Sequence, residues 1–139
     1  MADTLEFELV SPTRLLVSEA VEMVVVPGEE GDFGALPGHA PLISQVRPGV
    51  IDVHGEGTVK RRIFVSGGFA EVTQERCTVL ADEAVPVEDI DAGDAEARLA
   101  AARSAVQEAE AEDRRARLQS ARELRVAEAL VAAAGSAAS

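Results

Sequence analysis

The chain has 139 residues, of which 47% are hydrophobic and only 4 are phenylalanine, tyrosine or tryptophan, and its formal net charge is −12. This length fits one domain, or a small domain with an appendage, and the acidic balance argues against nucleic-acid binding, for which a basic face is typical. The single cysteine, Cys77, excludes an internal disulfide and a cysteine-based zinc site, so we expect a passive strand thiol.

The sequence shows no sign of a membrane-spanning or leader segment. No apolar window approaches 18 residues, and the N-terminus lacks a basic stretch followed by an apolar one. We therefore expect a cytosolic protein, or one that is peripheral on a membrane complex. Residues 1–88 hold 15 acids and 6 bases, whereas residues 89–139 hold 10 and 7. The acidic first part suits a basic protein partner or simply maintains solubility.

Short strand-like segments follow one another over residues 5–85. Leu5–Leu9 alternates apolar and acidic residues, which predicts a strand with one solvated face, and the β-branched Val21–Val26 predicts a more deeply buried strand. Further short strands are predicted at 15–17, 43–46, 50–54, 58–65, 69–73 and 77–81. Close spacing with glycine-rich turns is typical of an antiparallel sandwich or barrel.

Residues 26–42 contain four glycines and three prolines, with Phe33, Leu36 and Leu42 placed among them. A solvated linker rarely carries large apolar side chains, and the glycines and prolines restrict the backbone at many positions. The segment is therefore predicted to be one shaped, packed loop. Such loops on rigid scaffolds commonly contact partners.

The composition changes at Val85–Ile90, which predicts two domains, 1–88 and 89–139. From about Asp91 the chain is rich in Ala, Glu and Arg, and no proline or glycine occurs between Gly93 and Gly135. Asp91 or Asp94 can cap a first helix and Asp113 a second. Two apolar stripes at helical spacing are Ala95, Leu99, Ala102, Val106, Ala109 and Leu118, Ala121, Leu124, Ala127, Val131.

Two arrangements of the helical segment remain open. Glu110 with Arg114, and Asp113 with Arg117, are i,i+4 pairs that favour one helix running straight through the region of a turn. The stripes are rich in alanine, so a folded-back pair of helices has a thin seam. We expect either a stable hairpin or an appendage that switches between folded-back and extended forms.

The residues contain no catalytic constellation. His39 and His54 have no helical partner at i+4, and neither a nucleophile elbow nor a P-loop is present. An acidic group at Glu29, Glu30 and Asp32 is best read as solvated. The basic cluster at residues 60–62 is either solvated or a docking patch. We expect no catalytic residue and no metal site, and a protein that is not an enzyme by itself.

Three segments carry a family resemblance. Gly31–Leu42 matches the pattern G-x-x-G-x-x-P-G-H-A-P-L at every fixed position, and Arg47–Ile51 matches a basic-Pro-Gly turn into a strand. Val65–Val72 and Thr78–Asp82 match the pair S-G-G-x-x-E-V and T-V-L-A-D. The chain thereby resembles the ε subunit family of the F-type ATP synthase over most of residues 5–88.

The resemblance implies an N-terminal antiparallel β-sandwich followed by a C-terminal two-helix α-hairpin. It implies a non-catalytic central-stalk subunit whose partners are the γ subunit and the ring of membrane-embedded c subunits. Asp32 is expected to contact the polar loops of the c-ring, and His39 to shape that surface or touch γ. The full set of expected interface residues is Gly31, Asp32, Gly34, Pro37, Gly38, His39, Pro41 and Leu42.

The resemblance also bears on nucleotide binding and inhibition. The ATP motif I-D-x-x-R-A of some members falls on Ile90–Ala95, where Asp94 replaces the arginine, and only Arg98 and Arg103 could compensate. We therefore expect no cofactor, and the remnant comprises Ile90, Asp91, Asp94, Arg98 and Arg103. The helices of the family can block ATP hydrolysis by meeting the catalytic α and β subunits. Candidate residues of such an inhibitory arm are Arg114, Arg115, Arg117, Arg122 and Arg125.

The predicted function is that of a rotor subunit that couples proton translocation through the c-ring and γ to ATP synthesis, with inhibition of hydrolysis by the helices. The expected location is the cytoplasmic face of the bacterial inner membrane, as a peripheral protein. The alternative is a free-standing β-sandwich binding module with a helical oligomerisation tail. The chain has no tryptophan or tyrosine on which a sugar could stack, which counts against that alternative.

Overall fold

The computed structural model describes residues 3–137, so residues 138 and 139 of the predicted helical domain lie outside the described range. The strands are β1 (Leu5–Ser11), β2 (Arg14–Val21), β3 (Met23–Gly28), β4 (Gly31–Ala35), β5 (Leu42–Val46), β6 (Gly49–Gly55), β7 (Thr58–Val65), β8 (Gly68–Val72), β9 (Arg76–Ala81) and β10 (Ala84–Pro86). A short 3-10 helix (Val87–Asp89) precedes α1 (Ala92–Glu108) and α2 (Arg114–Ala137). The chain divides into two compact units between Pro86 and Val87, two residues before the predicted boundary.

The strands form one sheet in the order β10-β7-β6-β3-β5-β8-β9-β1-β2, with β4 paired to β3 off this path. Gly28–Val46 is the one residue pair that joins β3 to β5. The sheet therefore has two halves, with β4, β3, β6, β7 and β10 in one and β5, β8, β9, β1 and β2 in the other. The predicted antiparallel β-sandwich is confirmed, with one parallel pair between β1 and β9 in the described sheet.

Alternation along the strands directs the core residues inward. In β1, Leu5, Phe7 and Leu9 are buried while Glu6 and Glu8 are half-buried. Side chains of both sheet halves meet in one apolar cluster. Cys77 lies in this cluster, and burial raises the pKa of its thiol to about 12, so the thiol stays protonated and unreactive at neutral pH.

The prediction of one packed loop over residues 26–42 is wrong for most of its length. Residues 23–28 and 31–35 form a β-hairpin whose pairs run from Val24–Ala35 to Gly28–Gly31. Gly31 has φ +133, which an L side chain rarely adopts, and this allows a tight turn at Glu29 and Glu30. Only the segment after Ala35 and before Leu42 is a loop. The predicted strand at residues 21–26 is also broken, at Glu22.

An ion pair joins the two sheet halves at the β2 edge. The Nε atom of Arg61 on β7 donates to Oε1 of Glu19 on β2 at 2.7 Å. This hydrogen bond lowers the pKa of the Glu19 carboxyl below its ordinary value of 4.5, against a smaller opposing effect of burial. Folding therefore favours the ionised carboxylate of Glu19.

Glu19→Gln is expected to lower the free energy of unfolding at pH 7 by an amount that shrinks in acid. Because the folded pKa of Glu19 is depressed, its contribution is present above pH 4.5 and is lost as the pH falls through the folded pKa below that value. Urea unfolding of both proteins from pH 7 to pH 3 measures the difference. Glu56→Gln, in the β6–β7 turn, controls for the loss of one negative charge. A difference that does not change with pH would contradict the prediction.

The helical unit begins and turns at predicted caps. Asp91 is the N-cap of α1, where its Oδ1 accepts from the Asp94 amide at 2.9 Å, and Oδ1 of Asp113 accepts from the Ala116 amide at 3.0 Å. The arrangement with one continuous helix is not the one observed. Ala109 has an extended ψ of 126 and ends α1, and the i,i+4 charge pairs are too weak to override such a break.

The helix seam is shorter than the predicted stripes. Leu99, Ala102 and Ala127 are buried together, with Leu124 and Val131 partly buried against them. Val106 and Leu118 are 38% and 55% exposed, so their predicted places in the seam are wrong. They lie near the connection between the helices, where a crevice opens between the end of α1 and the start of α2.

Candidate functional site

The sheet half made of β5, β8, β9, β1 and β2 carries exposed apolar side chains on the face that points away from the core. Ile43 is 72% exposed, Phe69 53%, Leu80 54% and Leu15 54%. In β8 the inward positions are taken by Ala70 and Val72, so the largest side chain of the strand faces solvent. Large apolar groups at outward positions of a sandwich mark an interaction surface when they lie together.

Strand register brings these side chains into one row. Phe69 pairs with Leu80, Leu80 with Val10, and Val10 with Leu15. Ile43 lies diagonally next to Phe69, because Ile43 pairs with Glu71, two residues along β8. With strands about 4.8 Å apart, the row crosses five strands over roughly 19 Å. We call Ile43, Phe69, Leu80, Val10 and Leu15 the outer apolar row.

The sequence reading did not single out the outer apolar row. Its signal was present, because the exposed Phe69 and Leu80 alternate along their strands with the buried Ala70, Val72, Val79 and Ala81. A strand whose only task is to bury a core usually directs its largest apolar side chains inward. Here the larger side chains face outward and the smaller ones face the core, which is unusual. The assembly of the row also needs the register of β1 against β9, which joins residues about 70 positions apart.

Asp32 lies on the β3–β4 hairpin, where it is paired. Nη2 of Arg47 donates to Oδ1 of Asp32 at 2.6 Å, and Nη1 of Arg47 donates to the carbonyl of Gly28 at 2.6 Å. Arg47 thus ties the hairpin to the turn before β6. The side chain of Asp32 remains 60% exposed, so it still presents a negative edge to a partner.

The loop between β4 and β5 is held by backbone and ring hydrogen bonds. The Gly38 amide donates to the Gln74 carbonyl at 2.8 Å, and the His39 amide donates to the Leu36 carbonyl at 3.0 Å. Nδ1 of the half-buried His39 lies 2.6 Å from the Ala40 carbonyl oxygen, to which the ring donates in the tautomer with a proton on Nδ1. Gly38 has φ +86. These bonds favour a loop-shaping role for His39.

The expected interface residues fall into two groups rather than one. Gly31, Asp32 and Gly34 lie on the hairpin near the Val46 end of β5, and Pro37, Gly38, His39 and Pro41 lie in the loop that leads into Leu42. Leu42 and Val46 are four residues apart along a strand, or about 13 Å. In the basic cluster at residues 60–62, two positive charges are balanced by ion pairs within the protein. Arg61 pairs with Glu19, and Arg62 pairs with Asp52.

The arginines of the expected inhibitory arm all lie on the first half of α2, and all are exposed. Nη1 of Arg117 donates to the Ala111 carbonyl at 2.7 Å and thereby supports the inter-helix connection. Arg114 and Arg117 line the crevice that contains Val106 and Leu118, while Arg114, Arg115 and Arg122 line a second hollow along α2. Arg125 lies further along the same helix.

Four of the five residues of the ATP-motif remnant make contacts within the helical unit. Asp91 and Asp94 shape the first turn of α1, and the amide of Ile90 donates to the Val87 carbonyl at 3.2 Å. Arg98 lies 3.8 Å from the Glu123 carboxylate on α2, and Arg103 is exposed one turn beyond it. Within residues 3–137, no group of three or more His, Cys, Asp or Glu side chains is placed to hold a metal ion. None of the described helices combines the length and apolarity that a membrane span requires.

Comparison with known proteins identifies the class. Residues 4–87 match the family model described as the ATP synthase, Delta/Epsilon chain, beta-sandwich domain. The ATP synthase epsilon chain of Rhodospirillum rubrum is 67% identical over 102 residues, which are 73% of this chain and 76% of that protein. The ATP synthase epsilon chain of Granulibacter bethesdensis is 47% identical over 134 residues, or 96% of this chain and 98% of that protein.

Solved structures agree with this class. A chain in the cryo-EM structure of the Euglena gracilis mitochondrial ATP synthase, OSCP/F1/c-ring in rotational state 1, has a TM-score of 0.81 and 31% identity, covering 96% of this chain and 82% of that one. A chain of the Tetrahymena thermophila mitochondrial ATP synthase central stalk/c-ring structure has a TM-score of 0.65 over 94% and 96% of the two chains, and at 10% identity it shares the fold alone.

The β-sandwich is thus the domain described for the delta and epsilon chains of ATP synthase. The chain belongs to the ATP synthase epsilon chain family. Family membership makes it a subunit of ATP synthase rather than an enzyme by itself, and replaces the alternative of a free-standing binding module.

Proposed function

We propose that this protein is a rotor subunit of the central stalk, which holds the base of γ on the c-ring and so couples proton translocation to ATP synthesis. The observation that carries the proposal is the outer apolar row, because four large apolar side chains that are more than half exposed need a permanent cover. The kinship with epsilon chains, and with a chain of an F1/c-ring assembly, supports γ as that cover.

The two groups of interface residues face the c-ring in this proposal. The hairpin carries Asp32 and a turn with Glu29 and Glu30, all exposed and acidic, which suits the polar loops of c subunits. Because Asp32 is paired with Arg47, the contact of Asp32 with a c subunit contributes hydrogen bonds and fixes the relative position of the two proteins, and net charge contributes less. His39 holds the loop in shape beside the γ-binding face.

In this proposal the protein is a peripheral subunit on the cytoplasmic face of the bacterial inner membrane, where it is held through the c-ring. The bacterial relatives, including that of Rhodospirillum rubrum, support a bacterial setting. Binding to the membrane then depends on the complex. The residues of the ATP-motif remnant bind no nucleotide in this proposal, because Asp94 would repel phosphate.

The helical hairpin is the regulatory part of the proposal. The buried residues of the cluster between its helices are Leu99, Ala102 and Ala127, two of which are alanines, so this cluster adds little apolar area that opposes opening. An opened hairpin could rise along γ and set its arginines against acidic segments of the catalytic α and β subunits. The block on ATP hydrolysis would be steric and electrostatic.

The coupling role and the inhibitory role can both be tested by reconstitution. The starting material is an ATP synthase from which its own epsilon chain has been removed. Adding the full-length protein is expected to restore ATP-driven proton pumping in vesicles. A version that ends at Pro86 keeps the outer apolar row and the core cluster, so it should restore pumping while raising the ATP hydrolysis rate several-fold over the full-length protein.

A matched control keeps the helices and changes the five arm arginines to glutamine. If these act on acidic segments, the variant should release hydrolysis as the truncation does. Equal hydrolysis rates for all three proteins would remove the inhibitory role and leave the rotor role. Failure of the full-length protein to restore pumping would contradict the rotor role itself.

A further inference from the structure

One carboxylate lies directly beside the outer apolar row. Glu71 on β8 follows Phe69 by two residues on the same face and pairs across the strands with Ile43 and Thr78. It is exposed, and among residues 3–136 no basic side chain forms an ion pair with it. A partner that covers Ile43 and Phe69 must also cover Glu71.

The neighbouring acids of this face are already satisfied. Oε1 of Glu8 lies 3.3 Å from Nη1 of Arg76 and accepts from Thr78 Oγ1 at 3.4 Å, and Oε1 of Glu6 accepts from Ser18 Oγ at 3.4 Å. Among residues 3–136, Glu71 has neither an ion-pair partner nor a side-chain hydrogen bond, which distinguishes it from Glu6 and Glu8.

Removing water from an ionised carboxylate is costly unless a charged or polar group replaces it. Docking of a partner would impose this desolvation cost on Glu71, which lies next to Ile43, the most exposed side chain of the row. We infer that the segment of γ seated on the outer apolar row presents a lysine or arginine side chain to Glu71. This inference rests on the proposed function. An ion pair with Glu71 would fix the orientation of the γ segment on the row, because Glu71 lies on one side of the row only.

Four variants of the full-length protein test the pairing against the catalytic complex depleted of its epsilon chain. Glu71→Gln removes the charge and keeps the shape, and Glu71→Leu extends the apolar row. Glu56→Gln is the control for charge on the other sheet half. Gln45→Leu, opposite Phe69, is the control for an added apolar side chain on the same face.

Both Glu71 variants are expected to weaken binding roughly tenfold at low salt, with a smaller difference at high salt, because a basic group on the partner loses its counter-charge. The two controls should stay within about twofold of the unchanged protein. Thermal unfolding of each variant establishes that the fold is retained.

Tighter binding of Glu71→Leu, or unchanged binding of Glu71→Gln, would overturn the inference. The proposed docking face is tested separately by loss of its apolar side chains. If Ile43→Asp with Leu80→Asp abolishes binding while the Glu71 variants bind normally, γ docks on the row without a cation at Glu71. If the apolar variant also binds normally, the docking face itself is wrong.

Discussion

Replacing Ile43 and Leu80 together by aspartate is expected to weaken association with the epsilon-depleted catalytic complex by at least about a hundredfold. Each buried side chain of this size contributes roughly 1.5–3 kcal/mol, and the two new carboxylates would have to lose water on docking. The fold should survive, because the two side chains are 72% and 54% exposed and make little of the core. Surface-immobilised complex and purified variants allow the dissociation constants to be compared.

Val59→Asp is the matched control for this result. Val59 is an exposed apolar residue, 41% accessible, on β7 in the other half of the sheet. It introduces one such carboxylate into a strand without touching the outer apolar row. Comparable weakening by Val59→Asp would mean that the loss reflects general damage, and unchanged affinity of the double variant would contradict docking on the row.

The second large effect is expected from Gly68→Ala, at the start of β8. A Cβ atom at Gly68 would overlap the carbonyl oxygen of Leu80 and lie 3.0 Å from its carbonyl carbon. Both are backbone atoms of the paired strand β9, so neither can turn away as a side chain would. Gly68 also has φ +137, which is strained for alanine. We expect a loss of about 3 kcal/mol or more in the free energy of unfolding, measured by urea denaturation.

Gly31→Ala separates the two causes of that loss. Gly31 has φ +133, close to that of Gly68, but a Cβ atom there would meet nothing within 4 Å. The substitution should therefore cost only the backbone strain, on the order of 1–3 kcal/mol. Equal losses for the two variants would show that the overlap with Leu80 is relieved by a small shift of the sheet.

Local patterns indicated where the composition of the chain changes and which residues cap the first turns of its helices. The alternation in Leu5–Leu9, the side-chain caps at Asp91 and Asp113, and the change of composition after Val85 each depend on residues within a few positions of one another. The motif glycines Gly67 and Gly68 both have the positive φ that glycine favours. These features follow from local backbone and side-chain chemistry, which a sequence states directly.

The surface that could serve as a site was decided by tertiary structure. The outer apolar row needs the registers β5–β8, β8–β9, β9–β1 and β1–β2 together, and the pairing of Asp32 with Arg47 needs the hairpin to fold against a distant turn. The loss of Val106 and Leu118 from the helix seam depends on the turn that follows Ala109. A sequence specifies which residues alternate along one strand, whereas neighbours across strands are set by pairings between distant segments, whose free energy depends on the packing of the whole sheet.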